Sequence, residues 1–134
     1  MRLSDVRDHI DSLGLAEHVY MGKLDAKQEK SFGVYNSRHS RAYQVAIGGP
    51  ELESYGTKRV TILVHWNRSL WETEAVTELL FDALRRTREE KVNEETIKFV
   101  QLLYEPQDVG TDDAGVCEMV IEAAFIYAKK GGKA

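Results

Sequence analysis

The residues best suited to chemistry are four histidines, one cysteine and an acidic loop. Their spacing decides what they can do. His9, His18, His39 and His65 are widely separated, and no His-Glu-x-x-His pair sets two imidazoles on one helix face for zinc. Asp108, Asp112 and Asp113 invite a calcium reading. An EF-hand loop needs acidic or amide residues at its first, third and fifth positions, glycine at the sixth and glutamate at the twelfth. Counted from Asp108, the third is Gly110, the sixth Asp113 and the twelfth Met119, so turn chemistry accounts for these aspartates better. Cys117 and His65 could meet across a sheet as nucleophile and base. Cys117, however, falls on the apolar side of an alternating run, where cysteine behaves as a small hydrophobe. There is no Gly-x-Ser-x-Gly elbow. Gly48-Gly49-Pro50 lacks the following Gly-Lys-Ser/Thr of a phosphate loop. The sequence assigns no catalytic residue, no metal ligand and no cofactor.

The elements that would carry these residues are clearer. Residues 59–66 are rich in β-branched and aromatic types and read as a buried strand, with Val60, Ile62, Val64 and Trp66 on one face and Thr61, Leu63 and His65 on the other. Asn67-Arg68-Ser69 breaks the pattern, and Ser69 with Glu72 has capping-box spacing. Val76, Leu79, Leu80, Ala83 and Leu84 then recur at three-and-four spacing, which predicts an amphipathic helix. A short helix over residues 5–13 is predicted upstream, capped by Ser4 and ended at Gly14, with His9 on its solvated side. Strands are predicted over residues 18–22, 31–35, 42–47, 96–104 and 116–127. The last carries Cys117, Met119, Ile121, Ala123, Phe125 and Tyr127 on its apolar face and Glu118 and Glu122 on a partly exposed one. The charged run 89–95, the turn-rich 48–57 and the loop 105–115 read as connections, and 129–134 as a basic tail.

One helix between strands and mostly short connections favour an α+β fold. The expected form is a mostly antiparallel sheet with one long amphipathic helix packed on it and a short N-terminal helix. At 134 residues, 43% hydrophobic and 30% charged, the chain is expected to be one domain over residues 1–134. Its net charge of -4 argues against a dedicated nucleic-acid binder. Arg38, His39 and Arg41 make the most basic spot, read as a hairpin tip. A single cysteine permits no intrachain disulfide. Neither a signal-type apolar run nor a membrane-length one is present, so the expectation is a soluble protein, intracellular at synthesis.

The run YEPQDVGTDDAGVCEMVIEAAFIYAKK resembles the end of the minor capsid or tail-terminator proteins of long-tailed bacteriophages infecting Gram-positive bacteria. Its turn is Val109, Gly110, Asp112 and Gly115, leading into a long alternating strand. RVTILVHW and ETEAVTELLFDAL resemble the family's central strand and helix. The resemblance implies a virion structural protein at the head–tail junction, present in the host cytoplasm during assembly, and not an enzyme. It implies a ring of identical subunits, commonly a hexamer. That ring would cap the tail-tube protein, dock to the head connector and let DNA pass through its lumen, with no membrane role. Exposed loop residues would then form the interfaces: Arg38, His39 and Arg41; Glu51, Glu53 and Tyr55; Asp108, Asp112 and Asp113; and Trp71 as an anchor. The alternatives are a generic cytoplasmic protein-binding module offering a sheet edge and a small metal-dependent hydrolase using the acidic loop.

Overall fold

The computed structural model describes residues 1–38 and 54–129. The chain begins with α1, Leu3–Ser12. It starts two residues before the predicted helix, because the Asp5 carboxylate accepts the Arg2 backbone N–H at 2.8 Å and closes the first turn itself. Val6 and Ile10 are fully buried on its inner side, and so is most of His9. Gly14 follows the helix at φ +70°, a left-handed position that glycine occupies without strain.

The strands are β1 (His18–Met21), β2 (Ser31–Asn36), β3 (Tyr55–His65), β4 (Arg88–Val92), β5 (Glu95–Leu102), β6 (Gln107–Thr111) and β7 (Cys117–Ala128), with α2 (Leu70–Arg85) between β3 and β4. They form one sheet in the order β1-β2-β3-β7-β5-β4, and β6 also pairs with β7. β5 and β6 lie on the same side of β7, one opposite its C-terminal half and the other opposite its N-terminal half. They are one interrupted strand in space, broken by the excursion around Pro106.

This architecture corrects the expected one. The sheet is mixed, since β1 and β2 run parallel, and it curls into a half-barrel. Among the described residues the helical part is two short helices, 23% of the structure, with no single long amphipathic helix packed on the sheet. Two physical causes stand out. The parallel pair is joined by a nine-residue crossover, residues 22–30, that lies over the outer face and buries Leu24 there. On α2, the buried residues are Thr73, Val76, Thr77, Leu80 and Leu84, while Leu79, counted in the predicted stripe, is 58% exposed. The helix can bury threonines because their hydroxyls donate to the carbonyls of Ser69 and Thr73 one turn back.

The concave face holds the core. Val60, Ile62 and Val64 of β3, Ile121, Ala123 and Phe125 of β7, and Ile97 of β5 meet Val6 and Ile10 of α1 and Leu80 and Leu84 of α2. All of these are fully excluded from water, each contributing about 1.5–3 kcal/mol for its larger side chains. α1 reaches both edges of the curl. Arg7 Nε donates to the Val19 carbonyl of β1 at 2.9 Å, and Asn93, in the β4–β5 turn, donates to Asp5 and Asp8. The predicted strand 42–47 lies outside the described residues.

Candidate functional site

β3 and β7 pair in full register, His65 opposite Glu118 and Thr61 opposite Glu122. Successive side chains alternate between faces, so His65, Glu118, Thr61 and Glu122 share the outer face while Cys117 lies opposite the core-facing Trp66. A Cys117–His65 catalytic pair is therefore excluded by register. Two polar knots result. In the first, Glu122 is 4% exposed and accepts hydroxyl hydrogen bonds from Ser37, at 2.8 Å, and from Thr61. A shallow cleft of about 290 Å³ lined by Tyr35, Asn36, Arg38, Thr61 and Glu122 opens beside it. Glu122 is thus buried, against the expectation of a partly exposed face.

The second knot is centred on His65, fully buried. Its Nδ1 lies 2.7 Å from Glu118 Oε2, and its Nε2 lies 3.0 Å from the Ala26 carbonyl. A carbonyl only accepts, so Nε2 donates. Asp112 Oδ2 stands 3.8 Å from the same Nε2. Asp112 Oδ1 accepts the backbone N–H groups of Ala114 and Val116, each at 2.9 Å. The Val116 amide most of all holds this carboxyl below the usual carboxylate range, helped by Ala114, the His65 ring and Gly115 and opposed by partial desolvation. His65, Asp112 and Glu118 are metal-ligand types gathered in one place. Yet the two carboxylates address opposite ring nitrogens, and an ion at Nε2 would have to displace the Ala26 bond. The donor set fits a hydrogen-bonded clamp, which ties the crossover loop and the β6–β7 turn to β3, better than a metal centre.

The other predicted site residues divide between the two ends of the sheet. At one end the β3–α2 turn meets the β6–β7 turn: Arg68 Nε donates to the Ala114 carbonyl at 3.1 Å and Cys117 N–H to the Asn67 carbonyl at 2.7 Å. Asp112 and the exposed Asp113 lie in that turn, the exposed Asp108 lies on β6, and Trp71, in the first turn of α2, is 78% exposed. Toward the opposite end lie Arg38, exposed just past β2, and Tyr55, 58% exposed at the start of β3. His39, Arg41, Glu51 and Glu53 lie outside the described residues. The buried His65 and Glu122 and the part-buried Glu118 were not singled out by sequence reasoning as a polar layer. The signal was there as polar residues on alternate positions of two strands that are otherwise apolar.

β6 is a poor strand acceptor. Its register shifts between Asp108 and Gly110, and Asp108 Oδ1 takes the Gly110 N–H at 2.8 Å. Such a bulge blunts an edge against strand addition.

Among the described residues no helix is long and apolar enough to cross a membrane. The small mixed sheet carries the exposed candidates toward its two ends. The chain belongs to the bacteriophage tail terminator family: the family of bacteriophage tail terminator proteins matches it over residues 9–129. That family is structural rather than catalytic, and its members are virion components. No curated protein matches the chain significantly.

Proposed function

We propose that this chain closes the head-proximal end of a phage tail tube as a ring of identical subunits, a hexamer, and docks there to the head connector. It acts by binding and not by turnover. One observation carries the reading beyond the family itself. The exposed candidates fall at opposite ends of one sheet, Trp71, Asp108 and Asp113 at one and Arg38 and Tyr55 at the other. A subunit held between two different partners in a stack needs a contact surface at each end. Asp112 shapes the first surface through its turn, and His39, Arg41, Glu51 and Glu53, outside the described residues, are proposed as further contacts. DNA passes through the lumen, at the head–tail junction of the virion, after assembly in the host cytoplasm.

The test is solution mass by light scattering over a range of concentrations, with negative-stain imaging. A ring of about six subunits with a central hole is expected. Reversing the charges of Asp108 and Asp113 should abolish docking to the tail tube while leaving the fold intact. Variants that still join tails normally remove that surface from the proposal.

A further inference from the structure

The side of α2 turned away from the sheet carries an apolar ridge. Trp71, Ala75 and Leu79 recur at four-residue spacing and are all exposed, opposite the buried Thr73, Val76, Leu80 and Leu84. Glu72 lies on one flank of this ridge and Glu74 and Glu78 on the other, all exposed. Two such ridges laid face to face would set glutamate against glutamate, which disfavours a symmetric pairing of α2 with its own copy. A surface that fits is apolar in its middle and cationic at its margin.

Among the described residues, the large apolar side chains exposed outside α2 are Met21, Tyr55, Phe99, Tyr104 and Val109. Tyr104 and Val109 adjoin Glu105 and Asp108, which carry the same sign as the ridge. Met21 is a single side chain at the end of an edge strand. Phe99 belongs to a patch. Thr57 of β3, Ile126 of β7 and Phe99 of β5 make one row across the outer face, since their neighbours Phe125 and Val100 point into the core. On the same face of β3, Tyr55 lies one step beyond this row and Arg59 one step before it. Arg59 and Lys98 put positive charge at its margin, Lys98 beside its partner Glu89 at 2.8 Å. From Trp71 to Leu79 the ridge runs about 12 Å, and β3 to β5 is two strand spacings, about 10 Å. The two surfaces also face opposite ways: α2 packs on the concave side through Leu80 and Leu84, and the row lies on the convex side.

We propose that the exposed ridge of α2 in one copy packs across the outer-face row Thr57, Ile126 and Phe99 of a neighbouring copy, with its glutamates facing Arg59 and Lys98. Because the two surfaces lie on opposite faces of one subunit, the contact is head-to-tail and repeats from copy to copy, the kind that closes into a ring when its rotation permits. It rests on the self-associating reading above and names the contact that reading leaves open.

Two variants test it, Leu79→Cys and Phe99→Cys, with Cys117 left in place because it is buried. Mixed and mildly oxidised, they should give a disulfide-linked dimer containing one chain of each kind, in excess of either homodimer. The chain carrying both cysteines should give a ladder of covalent multimers. In parallel, Arg59→Glu, and Glu74→Lys with Glu78→Lys, should each weaken association by about tenfold or more, and the three changes in one chain should restore it. An oligomer by light scattering that yields no mixed disulfide overturns this contact and leaves self-association standing. So does an excess of Leu79→Cys homodimers, which would make the pairing symmetric. A monomer at every concentration overturns both.

Discussion

His65 Nδ1 and Glu118 Oε2 stand 2.7 Å apart across the β3–β7 ladder, the first fully buried and the second still 20% exposed. Removing one partner leaves the other desolvated without its bond. His65→Ala should therefore cost about 2–3 kcal/mol, reduced from the fully buried case because Glu118 keeps some water. Replacing both by apolar residues of similar size should cost less than the two single changes summed. Urea unfolding of the three variants checks this, and additive losses would show that the pair does not act as a unit.

His9 gives a pH dependence. It is buried beneath α1 against the edge of Phe125, and its Nε2 has no hydrogen-bond partner among the described residues. Desolvation pushes its pKa below the usual 6.5, with Glu90 opposing. The unfolded chain then takes up a proton that the folded chain resists. Stability should be flat above about pH 7, fall as pH drops through 6.5, and level off below the folded value. His9→Leu should remove that slope in a Tm–pH profile. An unchanged slope would place the titration elsewhere.

Asp112 acts in a lower window. Its carboxyl is stabilised as the anion, so its contribution is present above the usual 3.8 and is lost as pH falls through the depressed folded value. Asp112→Asn should flatten the acid limb of the same profile and leave the His9 slope untouched.

The buried Glu122 should be the costliest carboxylate to delete. Glu122→Ala removes the acceptor that the Ser37 and Thr61 hydroxyls share and should cost about 2–3 kcal/mol, with Glu122→Gln milder because it keeps an acceptor. Chemical denaturation would show it, and a loss below half a kcal/mol would mean water replaces the carboxylate freely.

Trp71 should behave in the opposite way. Being 78% exposed, Trp71→Ser should leave unfolding free energy within about 0.5 kcal/mol of the parent. Its effect should appear instead as a lower mass by light scattering.

These contrasts mark what was legible in the chain. β3 and β7 could be read from alternation because they are central and bury one whole face. The β4 sequence REEKV could not, since an edge strand with nearly every residue exposed needs no apolar pattern. β6 was read as a loop for the same reason. The two faces of β3 divide as its alternation predicts, and on β7 the face of Glu118 and Glu122 was expected to be partly exposed. The crossover loop covers His65 there through the Ala26 carbonyl, while Ser37 and Thr61 close around Glu122. Likewise His9 read as solvated because α1 was placed without knowing that its polar flank closes the curl. Burial of polar groups depends on what is laid over them later in the chain, and local periodicity carries no information on that.

The β3–β7 ladder also sets an order of events. His65 and Glu118 are 53 residues apart, and Tyr55 and Ala128 further still, yet these two strands form the spine on which β2, β5 and β6 hang. Closing so long a loop must precede the contacts that reward it. Refolding should therefore run on the millisecond-to-second scale typical of non-local sheets. On the ribosome, β3 can pair with β2 but waits without β7, so a chain arrested before Cys117 lacks the strand that joins β1-β2-β3 to β5-β4.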